Sequence, residues 1–227
     1  MTQDSLSNVD EGVLRIFIIR HGQTSYNICK RLQGHADIDL NETGYNQAKL
    51  CGLRLRELPI DYLISSDLVR CENTSKEILK YHPLLKLNKT YNLRERSMGP
   101  VEGMYLKDAI EKYGTDYKNL GESRTLLVKR LYGEWELIIS KGCKENYKNV
   151  VVITHGGVIT NFINHLYSDL NYKLSNKIKV EDLKVPYNTS ITVVDINKSN
   201  TTKGIIQVFG DTLHLGKQLE VKEQLLR

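Results

Sequence analysis

The chain of 227 residues has little cysteine, little proline and few large aromatics: four Cys, four Pro, one Trp and three Phe. Cys29, Cys51, Cys71 and Cys143 lie far apart, and no two have the spacing of metal ligands. A zinc module and a disulfide scaffold are therefore excluded, and reduced thiols are the expectation. Scarce proline argues against a proline-rich linker. No apolar run approaches the roughly 20 residues that span a bilayer. Residues 1–12 are polar and slightly acidic and lack the basic and apolar regions of a signal peptide. These absences predict a soluble protein of the cytoplasm, open to the nucleus, with no membrane partner. There is no dense Lys/Arg block, and a net charge of +5 is too mild to imply nucleic acid. The 13 Tyr are dispersed and build no stacking platform, so direct nucleic-acid binding is not expected.

What is present is an ordinary globular composition, 40% hydrophobic and 26% charged, long enough for one good core. We expect a flexible tail over residues 1–12, then one domain over 13–227 with an insertion at about 96–123. Val13–Ile19 reads as a buried strand. Glu42 to Leu58 carries a helical stripe of Ala48, Cys51, Leu55 and Leu58, closed by Pro59. Tyr62–Ser65 is a short strand, and Ser66 or Asp67 is expected to cap the helix that follows. Lys86–Leu93 alternates like a strand. A short helix is expected around Leu106–Tyr113, and a long one from about Glu122 to Ser140 with Val128, Leu131, Trp135 and Ile138 inward. Val150–Thr154 is a second apolar strand leading into a helix, and two late strands fall at 190–196 and 204–209. This order predicts an α/β protein, a three-layer α/β/α sandwich with a mostly parallel central sheet.

Two strand ends carry the chemistry. Arg20-His21-Gly22 follows the first strand, and His155-Gly156-Gly157 follows Thr154. Open α/β sheets place their ligand crevice at the carboxyl ends of the strands. A histidine there serves as nucleophile, general base or metal ligand. The arginine offers a planar fork of donors suited to phosphate. Gly156 opens a helix whose first N–H groups favour an anion. Asn27 lies one turn beyond the first motif and offers an amide donor. Arg70, one turn into the helix after Ser65-Ser66-Asp67, reaches back to the same edge. Glu95 stands between Arg94 and Arg96, where a bound phosphate dianion would keep a proton available for a leaving group. Taken singly, each of these also reads as a core histidine, a capping threonine or a solvated charge; together they describe a phosphate pocket. His35 reads as a solvated loop residue, and His214 as one with a packing or hydrogen-bonding role.

In these residues the chain resembles the histidine phosphatase superfamily, the phosphoglycerate mutase-like proteins, and most of all its small eukaryotic phosphatases. Arg-His-Gly, Asn27, Arg70 in Ser-Ser-Asp-Leu-x-Arg, Glu95 and Thr-His-Gly-Gly carry the likeness, together with the segment Leu32–Gly44. It implies a phosphoglycerate mutase-like fold and a metal-independent hydrolysis of phosphate monoesters with no cofactor. It implies that His21 becomes a phosphohistidine, that Arg20, Arg70, Asn27 and His155 hold the phosphoryl oxygens, and that Glu95 is the general acid and base. Gln33, Gly34, Arg96 and Gly156 are further expected substrate contacts, and Arg94, Lys107 and Lys118 are candidates for selecting an anionic substrate. The partner implied is a small phosphorylated substrate, and a homodimer is left open. Two alternatives stand beside this. One is a phosphatase-like interaction module, as in a histidine phosphatase-type subunit of the RNA polymerase III transcription factor IIIC; the intact set of two histidines, two arginines and an acid argues against it. The other is a phosphoglycerate mutase-type phosphotransferase. The mutases of the family carry a longer insertion with Trp-Arg-Arg, which residues 99–123 lack.

Overall fold

Four parallel strands bring four segments of chain to one sheet edge. In the computed structural model, which describes Leu6 and residues Asn8–Gly216, these are β1 (Val13–Arg20), β2 (Tyr62–Ser66), β3 (Leu87–Thr90) and β4 (Asn149–Thr154). With β5 (Lys173–Leu174), β6 (Ile191–Asn197) and β7 (Asn200–Asp211) they form one seven-stranded sheet of order β3-β2-β4-β1-β6-β7-β5. Only the pairings of β6 with β1 and β7 are antiparallel; the rest are parallel.

The central strands β1 and β4 are mostly apolar because both of their faces are covered. Along β1, Leu14, Ile16 and Ile18 point to one core, and Phe17 and Ile19 to the other. In β4, Val150 and Val152 alternate with Val151 and Ile153 in the same way. The first core is roofed by α5 (Arg124–Lys144) and α6 (Gly156–Ser168), the second by α2 (Glu42–Leu55) and α3 (Val69–Leu79). This is the expected three-layer sandwich. Away from the site, Arg15 on β1 faces Asp195 on β6 in register, and the two form a forked ion pair that pins the pairing.

The segment expected as an insertion begins with a 3-10 turn at Gly99–Val101, then holds α4 (Leu106–Tyr113) and a second 3-10 turn at Gly114–Asn119. With Leu32 it has a small apolar centre of its own, in Val101, Ala109 and Tyr117. A short α1 (Ser25–Cys29) follows the first motif, with Thr24 and Asn27 in a reciprocal capping box.

The structure corrects several expectations. Of the tail expected over residues 1–12, Leu6 is buried in the second core and Asn8 is buried with its amide on Val13 and Lys148 carbonyls. Residues 1–5 and 7 of that tail, and residues 217–227 of the expected domain, lie outside the described residues. The α3 helix has Leu68, not Ser66 or Asp67, at its N-cap; the Val69 N–H donates to Asp37 Oδ1 at 2.7 Å, and Asp67 holds Arg94. Pro59 lies past the end of α2, which closes at Leu55. On α5, Leu131, Trp135 and Ile138 are buried as expected, while Val128 is only half-buried and Leu127 takes the inward place.

Candidate active site

Register puts the two motifs side by side. Arg20 pairs with Thr154 across β1 and β4, so His21 and His155 are the next residues of adjacent parallel strands. The His21 N–H donates to the Thr154 carbonyl at 2.9 Å, and the imidazole centroids are 5.2 Å apart. Ser65 of β2 pairs with Ile153, and Ser66 with Thr90 of β3, so Ser66 and the segment leading to Glu95 arrive at the same edge. Thr154 Oγ1 donates to the Leu93 carbonyl at 2.7 Å and ties that segment down.

Gly22 is required by close approach. A Cβ there would lie 2.5 Å from the Gly44 carbonyl oxygen, so α2 seats directly on the turn that follows His21. His21 is 3% exposed. A carbonyl oxygen only accepts, so the 2.7 Å contact between Nδ1 and the Gly22 carbonyl places the ring proton on Nδ1 and leaves the lone pair on Nε2. Burial, and then the charges of Arg70 and Arg20, hold the imidazole well below its ordinary pKa of 6.5. His21 is thus a neutral imidazole with a lone pair on Nε2.

Arg70 is fully buried. Its Nη1 donates to the Ala36 carbonyl at 2.8 Å, its Nη2 to the Gly34 carbonyl at 2.9 Å, and its Nε to His155 Nδ1 at 3.2 Å. A guanidinium has five N–H groups, so two remain for a ligand. Burial also lowers its pKa below the usual arginine range, since no carboxylate is in contact with it. His155, accepting at Nδ1, carries its proton on Nε2 and donates to Ser66 Oγ at 2.9 Å. Burial first, then Arg70, His21 and Arg20, hold its pKa well below 6.5. Arg20 donates from Nη1 to the Pro186 carbonyl at 2.7 Å.

Glu95 Oε2 accepts from the Gly157 N–H at 2.9 Å, and Oε1 from the Arg96 N–H at 2.8 Å. One of the helix-start donors expected to meet an anion is therefore taken by this carboxylate. Its backbone carbonyl accepts twice, from His35 Nε2 at 2.8 Å and Arg130 Nη2 at 3.0 Å.

The remaining expected contacts divide. Asn27 Oδ1 is occupied by the Thr24 N–H, which leaves its Nδ2 donor for a ligand. Gln33 has its Oε1 buried with no hydrogen-bond partner. Gly34 contributes a carbonyl to Arg70 and stands at φ +49°, and Gly156 packs against the Arg20 guanidinium. Arg96 is spent within the insertion, on the Lys118 and Glu122 carbonyls. Arg94 is forked onto Asp67, while Lys107 and Lys118 lie over the rings of Tyr105 and Tyr117. His35, read as solvated, is half-buried and bonded to Glu95.

Sequence reasoning missed Ser66, Asn188 and Arg130. Asn188 is buried and donates from Nδ2 to the His21 carbonyl at 2.9 Å, while the Thr189 N–H donates to the Arg20 carbonyl at 3.0 Å. Their signal was a polar Asn188-Thr189-Ser190 directly before an apolar strand, which by itself looks like a turn. A cleft of about 1400 Å³, lined by Trp135, Tyr172 and Asp195 among others, includes none of the residues around His21. Among the described residues no group of three or more His, Cys, Asp or Glu is placed to hold a metal ion, and no helix is long and apolar enough to cross a membrane.

The model of the histidine phosphatase superfamily (branch 1) matches residues 16–204. A broad-specificity phosphatase of Saccharomyces cerevisiae is 38% identical over 217 residues, covering 92% of this chain and 90% of the yeast protein. A probable phosphatase of Schizosaccharomyces pombe is 36% identical over 204 residues, covering 89% and 95%. Among solved structures, a phosphoglycerate mutase from Bacillus anthracis superposes with a TM-score of 0.76 at 26% identity, over 91% of this chain and 96% of that one. The chain belongs to branch 1 of the histidine phosphatase superfamily and is a phosphatase of that family, a phosphoric monoester hydrolase.

Proposed function

We propose that this phosphatase hydrolyses small phosphate monoesters of varied alcohol moiety through a phosphohistidine on His21. The observation that carries the reading is the His21 imidazole, buried and neutral beside Arg20 and Arg70, with its proton tied to the Gly22 carbonyl. The Nε2 lone pair attacks phosphorus in line, and the P–N bond forms as the ester P–O bond breaks. Glu95, protonated at that moment, gives its proton to the departing oxygen. The carboxylate then takes a proton from water, the new P–O bond forms, and the P–N electron pair returns to Nε2. Arg20, the two spare N–H groups of Arg70 and Asn27 Nδ2 face the phosphoryl oxygens and balance the charge that develops on them. His155 holds Arg70 in place by accepting at Nδ1, and its ring stands beside the His21 imidazole at the phosphoryl site.

Breadth of substrate follows from what the cations do. Arg94 and Arg96 are occupied within the protein and Lys107 and Lys118 stand exposed on the insertion, so the phosphate is the principal recognition element. The likeness to a yeast phosphatase of broad specificity supports this. The test is hydrolysis of p-nitrophenyl phosphate in excess EDTA, wild type beside His21→Ala. Turnover by the wild type and a loss of at least about 10³-fold in the variant are expected. Equal rates in the two proteins, or no wild-type turnover from acid to neutral pH, would remove the reading.

A further inference from the structure

Helix α5 supports the whole segment that ends in Glu95. Glu134 is buried and accepts from Thr90 Oγ1 at 3.0 Å and Asn92 Nδ2 at 2.9 Å. One turn earlier, Arg130 donates from Nη1 to the Asn92 carbonyl at 2.7 Å and from Nη2 to the Glu95 carbonyl at 3.0 Å. The same guanidinium forks onto Glu122, with Nε on Oε1 at 2.7 Å and Nη2 on Oε2 at 2.8 Å. Both partners are largely shielded, with side chains 13% and 14% exposed. Glu122 stands at the far end of the insertion. Its N–H donates to the Ser97 carbonyl at 2.9 Å, and its own carbonyl accepts from Arg96 Nη1 at 3.2 Å.

Resting on the assignment of Glu95 as the acid, we propose that the Arg130–Glu122 pair is the positioning clasp of that acid, fixing the Glu95 backbone so that its carboxyl stays at the leaving-group oxygen. The pair joins α5, the two ends of the insertion and the acid itself, and none of its atoms touches the phosphoryl site. Geometry explains why a guanidinium is needed. Four contacts, two to the Glu122 carboxylate and two to the Asn92 and Glu95 carbonyls, match a forked donor and cannot be copied by a point ammonium. Burial pushes the Glu122 carboxyl up, but the Arg130 hydrogen bonds and charge outweigh it, and the net shift is downward, so the pair is charged at neutral pH. A backbone free to drift by about 1 Å costs an acid much of its effect.

The consequence is selective. An aryl oxygen such as p-nitrophenolate leaves without a proton, whereas the alkoxide of β-glycerophosphate requires one. Because kcat/KM reports steps only through leaving-group departure, it isolates the acid from the later water step. In Arg130→Met we expect kcat/KM for β-glycerophosphate to fall at least about 10-fold and that for p-nitrophenyl phosphate by no more than about 3-fold, with Arg130→Lys between. Glu122→Gln, which keeps shape and removes the charge pair, is expected to shift the ratio in the same direction and carries the comparison if Arg130→Met does not fold. The ratio of the two esters is independent of how much of a preparation is folded. Glu95→Gln is the reference and should show the same selectivity more strongly, about 10²-fold or more on the alkyl ester. If Glu95→Gln is selective while the Arg130 and Glu122 variants lower both esters equally or neither, the clasp is overturned. If Glu95→Gln itself is unselective, the assignment of the acid fails, and the clasp falls with it.

Discussion

At the scale of a residue, burial decides which imidazoles carry a proton. His214 is the measurable case outside the catalytic set. Its Nε2 meets Thr189 Oγ1 at 3.1 Å, and its Nδ1 is buried without a hydrogen-bond partner. Burial lowers its pKa from 6.5 to about 4. The sign follows directly: the unfolded chain binds this proton below pH 6.5, and the folded chain refuses it until about pH 4. Stability is therefore whole above pH 6.5 and is lost as pH falls through that window, by about 3 kcal/mol from this group. His21 and His155, also lowered, act in the same direction. Urea unfolding at pH 7 and pH 4.5 should show a marked loss in the wild type and a loss smaller by about 2–3 kcal/mol in His214→Gln. Equal losses would mean that His214 titrates normally. The sequence announced His21 and His155 because each stands at the end of an apolar run and before glycine. It could not announce Arg130, which looks like any half-exposed helix arginine until its partners, from 8 to 38 residues away, are seen.

At the scale of elements, two glycines do different work. An alanine at Gly22 would place its Cβ against the backbone of α2, which has no room to move. At Gly157 the Cβ would meet the Glu95 carboxylate, 2.5 Å from Oε1, at the free end of a side chain. Gly22→Ala should therefore cost stability, about 1–3 kcal/mol or more by urea unfolding. Gly157→Ala should keep its unfolding midpoint within about 0.5 kcal/mol and lose most of its activity on alkyl phosphates. The reverse pattern would show that the seat of Glu95 is misread. The elements themselves were legible where the apolar pattern was clean, as in β1, β4 and α6. Legibility failed where tertiary partners decided the outcome: Asp37, from a distant loop, meets the start of α3 while Asp67 holds Arg94, and Leu6 leaves an otherwise polar tail to join a core.

At the scale of the whole molecule, the sheet order places β1 beside β4 and β2 beside β4, so residues far apart in the chain meet at one edge. Sequence pattern foretold six of the seven strands, missing the two-residue β5, and the layers, but the register, which brings His21 and His155 together, depends on long-range pairing. The central claim concerns what forms at that edge. In Glu95→Gln the first step with an aryl ester needs no acid, while the second lacks its base, so phosphoenzyme accumulates. Mixing this variant with p-nitrophenyl phosphate, quenching in alkaline denaturant and mapping phosphorylated peptides by mass spectrometry tests the claim most directly. The account predicts a burst of about one p-nitrophenolate per chain and an acid-labile phosphoryl group on His21. A phosphoryl group on any other residue, or turnover with no covalent phosphate at all, would contradict it.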